Sequence, residues 1–436
     1  MELRLSEVAR AAGGRLDGPD ATVSGANIDS RSTTPGQMFV PVVAERDGHD
    51  FVGAALAAGA AGYLTSRPPV GGSAVVVPDT VAALGALGRH VRGALDAQVV
   101  GVTGSVGKTS VKDLLAAALA ARWRTAASVR SFNNELGVPL TLLNAPRDTE
   151  ALVVEMGARG VGHIKSLCEI AAPTIGLVTR VAAAHTEVFG TIDDVATAKG
   201  ELVESLPATG VAVLNAGDPR VAAMAGRTSA RVVHFGDGGD VRAENVVLDD
   251  ELRPAFRLVS PWGTTALRLG VRGAHMVDNA VAAAAAALSC DVPLEVLPEA
   301  LARAVLSPWR MELLRAPAGG VVLNDAYNAN PTSMAAALRA LAALPARRRV
   351  AVLGAMAELG IDSDDQHRAV GKLARELGLE VVAVAVPAYG GQLVADPDPD
   401  AAAVAVGEVA DGVAVLVKAS RVAGLERLVD RLLDPR

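Results

Sequence analysis

Short apolar runs recur along this chain, closed by glycine, proline, asparagine or aspartate and separated by alanine-rich stretches of helical spacing. Runs that stay apolar at consecutive positions are the pattern of strands buried on both faces. Their alternation with helical stretches predicts largely parallel sheets covered by helices. Over residues 1–96, strands are expected at 36–43 and 74–77 and a helix at 50–59, with Pro68-Pro69 and Gly71-Gly72 as turns. From Gln98 to about residue 310, strands are expected near 98–103, 151–155, 175–181 and 211–215. Residues 231–271 break the rhythm: runs at 231–235, 244–248, 255–259 and 266–269 predict an antiparallel insert or edge. After Pro308-Trp309-Arg310 a third alternating unit begins, with strands near 321–323, 349–353, 380–386 and 413–417. The expected class is α/β in three domains, 1–96, 97–311 and 312–436, and 436 residues suit that number.

One of these strands leads into chemistry. The run 97–102 is followed by Thr103-Gly104-Ser105-Val106-Gly107-Lys108-Thr109-Ser110 and then by the helical pattern Val111-Lys112-Asp113-Leu114-Leu115. Strand, glycine turn, Lys-Thr, helix is the layout of a phosphate-binding loop. Backbone N–H groups freed by Gly104 and Gly107 approach phosphate oxygens, and the helix N-terminus adds partial positive charge. Lys108 would reach the terminal phosphates and the Thr109 hydroxyl would hold magnesium. Val102 stands where the strict G-x-x-x-x-G-K-[ST] spacing has its first glycine, so this is the tighter G-x-x-G-K-T.

Composition narrows the field. A formal charge of −7 without a dense Lys/Arg tract argues against nucleic acid as the main partner. Cys168 and Cys290 make neither a disulfide framework nor a metal set, and read as buried thiols in a reducing compartment. Met1–Arg10 is charged throughout and does not read as a signal peptide. The longest apolar run, 280–288, is too short to span a membrane and reads as a packed alanine-rich helix. A cytoplasmic monomer is expected.

Ligands of open α/β sheets bind beyond the carboxyl ends of the strands, and polar residues fall there. Glu155 closes the run 151–155 and is a natural magnesium partner for the phosphate loop. His185 follows the run 174–181, and a lone histidine is more often structural than a ligand. Lys199 sits in a helix expected to start near Asp193 and reads, by itself, as a surface lysine. Asp325 ends another run and leads into Asn328, Asn330 and Pro331, while Asn133-Asn134 form a second asparagine-rich turn. Lys418 and Arg421 follow the run 413–417 as candidate cations.

These motifs together resemble the Mur ligases, the ATP-dependent amide-forming family of peptidoglycan synthesis, over essentially the whole chain. The resemblance is carried by Asp29-Ser30-Arg31, Asp47-Gly48-His49-Asp50-Phe51, the phosphate loop, Asn133-Asn134-Glu135-Leu136-Gly137-Val138-Pro139, Glu155-Met156-Gly157, Ala184-His185 and Ala198-Lys199-Gly200-Glu201. In the third unit it is carried by Asp325-Ala-Tyr-Asn-Ala-Asn-Pro331, Leu353-Gly-Ala-Met-Ala-Glu-Leu-Gly360 and Val417-Lys-Ala-Ser-Arg421. The asparagine-rich runs and Met-x-Glu-Leu-Gly point to the branch that joins D-alanyl-D-alanine to a UDP-N-acetylmuramoyl tripeptide through an acyl phosphate.

The resemblance implies a first domain for the uridine nucleotide, with Ser30 and Arg31 among its contacts, a central domain for ATP and two magnesium ions, and a Rossmann-like third domain that brings the amine. It makes Thr109, Glu155, His185 and a carbamate on Lys199 the metal ligands. Residues 104–110, Asn134, Asn279, Arg310 and Asp325 become nucleotide contacts, and Asn328, Asn330, Lys418 and Arg421 acceptor contacts. Met276, Ala355, Ala419 and Glu45-Arg46 depart from the family pattern. The alternatives are a Mur-type ligase for another amine and a non-catalytic nucleotide-binding paralogue.

Overall fold

The computed structural model describes residues 1–182 and 189–434. The first sheet has five short strands in the order Arg15–Asp17, Ala74–Val76, Gly62–Thr65, Met38–Phe39, Ala26–Asn27, parallel except at the first pair. Its long helix, Thr80–Ala94, starts where Asp79 accepts the Val81 and Ala82 N–H groups. That helix packs against two helices of the next domain, Gly137–Leu143 and His163–Ala171. Leu84, Leu87 and Val91 thereby share one apolar core with Val138, Ile164 and Ile170. The Met1 ammonium donates to the Leu143 and Ala145 carbonyls, and the Asn144 amide bridges the backbone of Ala26. The first domain is therefore fastened to the second.

The central sheet has six parallel strands in the order Arg231–Phe235, Val211–Asn215, Ile175–Val178, Gln98–Thr103, Ala151–Glu155, Thr125–Ala127. The strand before the phosphate loop lies between Ile175–Val178 and Ala151–Glu155, with Glu155 in register with Val102 and Val178 with Thr103. Three carboxyl ends thus meet at one edge of the sheet. The residues expected to open an antiparallel insert need a correction: Arg231–Phe235 extends the parallel sheet, because the helical crossover before it returns the chain in the same direction. Only Arg242–Leu248, Pro254–Ser260 and Gly263–Arg268 form the antiparallel sheet. The alanine run is the helix Met276–Ser289, buried on all sides and laid against Lys108–Ala120, where small side chains permit close approach.

The third sheet also has six strands: Glu312–Arg315, Val321–Asn324, Val413–Lys418, Arg348–Leu353, Glu380–Val384, Gln392–Val394. Only the first pair is antiparallel. Asn324 pairs with Val417 and Leu353 with Lys418, so the loops after these three strands leave side by side. Both cysteines are buried, and burial pushes each thiol up to about 12.

Candidate functional site

The phosphate loop is built around glycines that no other residue can replace. Gly104 has φ +148°, and a Cβ there would lie 1.9 Å from the Thr179 hydroxyl. That hydroxyl donates to the Val106 carbonyl at 2.6 Å and so fastens the loop to the neighbouring strand end. Gly107, at φ +84°, leaves the space taken by the Asn279 amide oxygen. Ser105 completes the frame, its N–H donating to Arg180 O at 2.7 Å and its hydroxyl to Ala182 O at 3.0 Å. Lys108 donates from Nζ to Gly104 O at 2.7 Å, and burial pushes its pKa below the ordinary lysine value. Gly104→Ala is expected to lower stability by about 1–3 kcal/mol through backbone strain and the clash with Thr179. A thermal midpoint equal to that of the unaltered chain would show that the loop relaxes freely.

At the next strand end Glu155 is 1% exposed. Its Oε1 accepts the Asn133 amide at 2.8 Å, and its Oε2 is buried without a hydrogen-bond partner. Such an orphaned carboxylate oxygen beside a phosphate loop fits a divalent cation. Of the paired asparagines, Asn133 reaches this carboxylate, while Asn134 Oδ1 accepts the Leu136 and Gly137 N–H groups and caps a helix. Lys199 lies on the helix Ile192–Glu204, whose N-terminus is closed by a Thr191–Asp194 capping box. It is 3% exposed rather than on the surface, and burial, followed by Lys108, drives its amine well below the usual lysine range. Glu201, two residues on, accepts the Gly162 and Lys165 N–H groups at the start of the helix His163–Ala171. His185 lies outside the described residues.

A buried tie links the phosphate-loop helix to the third domain. Lys112 donates to the carbonyls of Ser128 at 2.8 Å and Arg130 at 2.9 Å and pairs with Asp113. Asp113 in turn accepts the Ser307 N–H at 2.7 Å, in the linker between domains. Two linker residues, Trp309 and Met311, have left-handed backbones at φ +61° and +52°. Between them Arg310 lies over the Tyr327 ring at 4.4 Å, and the Tyr327 hydroxyl meets Ser131 of the central domain.

The acceptor candidates of the third domain also make hydrogen bonds and ion pairs within it. Lys418 is 2% exposed, and its ammonium is spent on Asp325 Oδ2 at 2.5 Å and Asn328 O at 2.8 Å. Its charge is thus shared with the Asp325 carboxylate on the wall of the cleft. Asp325 accordingly has one oxygen committed, while its Oδ1 accepts Met311 N–H. Asn330 caps the helix Pro331–Ala343 by accepting the Ser333 N–H, and Asn328 Oδ1 accepts the N–H of Ala329. Arg421 is half-exposed, paired with Glu426 and stacked over Trp309 at 4.1 Å. In the first domain Ser30 and Arg31 sit on a surface turn where Arg31 grips Asp29 through two nitrogens, away from the central cleft.

Residues 105–110, Asn134, Glu155, Lys199, Asn279, Arg310, Asp325, Asn328, Asn330, Lys418 and Arg421 line one cleft of about 990 Å³ between the central and third sheets. Asn133, His275, Tyr327 and Glu358 line it too and escaped the sequence reading as individual site residues. His275 is partly buried, and its desolvation lowers its pKa against the opposing charge of Asp325. Only their place inside recognisable motifs could have flagged them. Met276, a departure from the family pattern, is buried and accepts the Asn279 amide on its sulfur. Among the described residues no three His, Cys, Asp or Glu side chains converge. The arrangement offers anion-binding backbone, cations for charge developing on phosphate, and one carboxylate poised for a cation.

A family profile described as the Mur ligase middle domain matches residues 102–287, and one described as Mur ligase, glutamate ligase domain, matches 309–434. The chain is 41% identical to the UDP-N-acetylmuramoyl-tripeptide--D-alanyl-D-alanine ligase of Mycobacterium bovis, over 99% of this chain and 98% of that one. It is 36% identical to the protein of the same description from Escherichia coli, over 88% and 85%. A crystal structure of MurF from Acinetobacter baumannii superposes with a TM-score of 0.89 at 30% identity, covering 99% of each chain. MurF ligase from Thermotoga maritima, in complex with ADP, gives 0.82 at 28% identity, over 94% and 97%.

Proposed function

Since the chain belongs to the Mur ligase family and has its three-domain α/β fold, we propose that it joins D-alanyl-D-alanine to UDP-N-acetylmuramoyl tripeptide in peptidoglycan precursor synthesis, hydrolysing ATP to ADP. The observation that carries this reading is the single cleft that sets Lys108, Glu155 and Lys199 of the central sheet opposite the loops of the third. It acts in the cytoplasm as a monomer; among the described residues no helix is long and apolar enough to cross a membrane.

The terminal carboxylate of the tripeptide attacks the γ-phosphate, giving an acyl phosphate and ADP. Lys108 neutralises charge that gathers on the transferring oxygens, and the N–H groups of residues 104–110 hold the phosphates in line. Asn279, packed on Gly107, stands at the adenine side, and Arg310 and Asp325 at the ribose and phosphate side. The dipeptide amine then attacks the acyl carbon, forming the C–N bond as inorganic phosphate leaves. No covalent enzyme intermediate is needed, so catalysis is positioning and charge stabilisation. The third domain shields the acyl phosphate from water. Ser30 and Arg31 hold the uridine nucleotide.

Magnesium, when bound, supplies charge neutralisation between the phosphates and orients them. Glu155, with its unpartnered Oε2, and the buried Thr109 would hold it, and one carboxylate plus phosphates and water is ordinary magnesium ligation. His185 is assigned to the same set on the motif alone. A carbamate on Lys199 has narrower support: the amine is buried and its pKa is lowered, which favours the uncharged form that adds to carbon dioxide, and the resulting anion would serve a second magnesium.

The test is phosphate release with UDP-muramyl tripeptide and a panel of amines. Release is expected to require D-alanyl-D-alanine and to be absent with D-alanine, L-lysine or glutamate at similar concentrations. Equal activity with a single amino acid would overturn the dipeptide assignment while leaving the family intact.

A further inference from the structure

The loop 128–133 leaves the strand Thr125–Ala127 and reaches the wall of the cleft at Ser131 and Asn133. Hydrophobic burial does little to hold it, since Val129 is 63% and Phe132 41% exposed. Polar ties hold it instead. The Lys112 ammonium takes the carbonyls of Ser128 and Arg130, and Arg130 has a left-handed backbone, φ +51°, which a non-glycine residue holds at a cost. The Ser131 hydroxyl meets that of Tyr327, which the third domain carries between the strand Val321–Asn324 and the helix Pro331–Ala343. Asn133 O accepts the Gly157 N–H at 2.7 Å, and Asn133 Nδ2 donates to Glu155 Oε1 at 2.8 Å. Gly157 leaves room for this, because a Cβ there would lie 2.8 Å from Asn133 Oδ1. At the start of the loop, Ser128 Oγ accepts the Glu155 N–H at 3.1 Å.

These contacts make an unbroken path from the third domain to one carboxylate. It runs from the Tyr327 hydroxyl to Ser131, along the main chain to Asn133, and through the Asn133 amide to Glu155 Oε1. The loop thus takes both the N–H and one carboxylate oxygen of Glu155, and Oε2 is the oxygen left for a cation. Groups behind a metal ligand set its direction and share in the metal affinity. Tyr327 is itself fixed by the linker. Its N–H donates to Trp309 O at 3.3 Å, and its ring lies under the Arg310 guanidinium at 4.4 Å and stacks on Trp309 at 6.4 Å. The place of its hydroxyl therefore reports where linker and third domain sit.

We propose that Tyr327 is a positioning residue for Glu155: with the third domain docked, its hydroxyl fixes Ser131, and the loop 128–133 then holds the Asn133 amide against Oε1 and presents Oε2 to the cation. This rests on the ligase reading given above, in which Glu155 holds magnesium. The seat for the metal is complete only when the third domain is in place, so domain docking and metal grip are linked through one hydroxyl pair. Tyr327→Phe removes that hydroxyl and keeps the ring under Arg310; Ser131→Ala removes its partner from the central domain.

The experiment is calorimetric binding of β,γ-methylene ATP to the full chain, in saturating magnesium and again in EDTA. The ratio of the two affinities is the gain that the metal brings. Asn133→Ala is expected to shrink that gain by about tenfold, the usual loss when a group behind a metal ligand is removed. Tyr327→Phe and Ser131→Ala shrink it by about fivefold, the worth of about one hydrogen bond. In EDTA the three variants bind within about twofold of the unaltered chain, because none of them has lost a contact to the nucleotide itself. Tyr327→Phe added to Asn133→Ala costs nothing more, since both act through Glu155. An unchanged gain in either hydroxyl variant, an equal loss of affinity with and without magnesium, or additive effects of Tyr327→Phe and Asn133→Ala would overturn the proposal. So would an unaltered chain whose affinity ignores magnesium. The ligase reading is decided separately, by whether phosphate release from the unaltered chain requires the dipeptide amine.

Discussion

Turnover of the Lys108→Ala chain is expected to fall by about a hundredfold or more, the usual loss when a preorganised charge is removed from a developing oxyanion. Lys108 opens the helix after the phosphate loop, and its ammonium already lies within the loop, 2.7 Å from Gly104 O. Nothing has to move far for it to meet a γ-phosphate held by the same loop. Its burial sharpens the effect, since a charge in a water-poor cleft acts more strongly than one in bulk solvent. Arg310 is the other nearby cation, but it is engaged with the Tyr327 ring and arrives from the linker. Phosphate release at saturating substrates reads the loss. A variant within a few-fold of the unaltered chain would move the phosphoryl chemistry away from this loop.

Lys199→Ala is the second large effect. If the buried amine carries a carbamate, the variant should lose nearly all activity, and short carboxylic acids should restore part of it by filling the vacated space. The amine and carbon dioxide give a carbamate and a proton, which requires an uncharged amine. Burial and the neighbouring Lys108 ammonium both favour that form. Exhaustive removal of bicarbonate should then lower the activity of the unaltered chain, and its return should restore it. A fully active Lys199→Ala chain would leave this lysine a packing role on the helix Ile192–Glu204.

The strands of the two larger sheets were legible because burial on both faces leaves unbroken apolar runs, as at Ala151–Glu155 and Val211–Asn215. The edge strands Thr125–Ala127, Glu312–Arg315 and Gln392–Val394 are short and partly exposed, and they carry no such run. Arg231–Phe235 was assigned to the wrong sheet because local pattern shows a strand but not its partner. In the site, the phosphate loop and Glu155 could be read directly. Lys199 could not, since burial of a lysine is decided by what packs over the helix. The pairing of Lys418 was equally hidden: the sequence shows a cation after a strand, and only the fold shows Asp325 already beside it. Asn133 and Asn134 differ by one position, and backbone direction alone separates the one that touches Glu155 from the one that caps a helix.

The Lys112–Asp113–Ser307 tie has a mechanical consequence. It fixes the start of the linker to the very helix that begins at the phosphate loop. A body swinging about a fixed point moves least beside that point. Arg310, three residues from Ser307, can change its direction but not its distance by much. The loop 354–360, beyond the strand Arg348–Leu353, lies on the long arm of the same lever. Any swing would thus displace the far loops of the third domain more than it displaces Arg310.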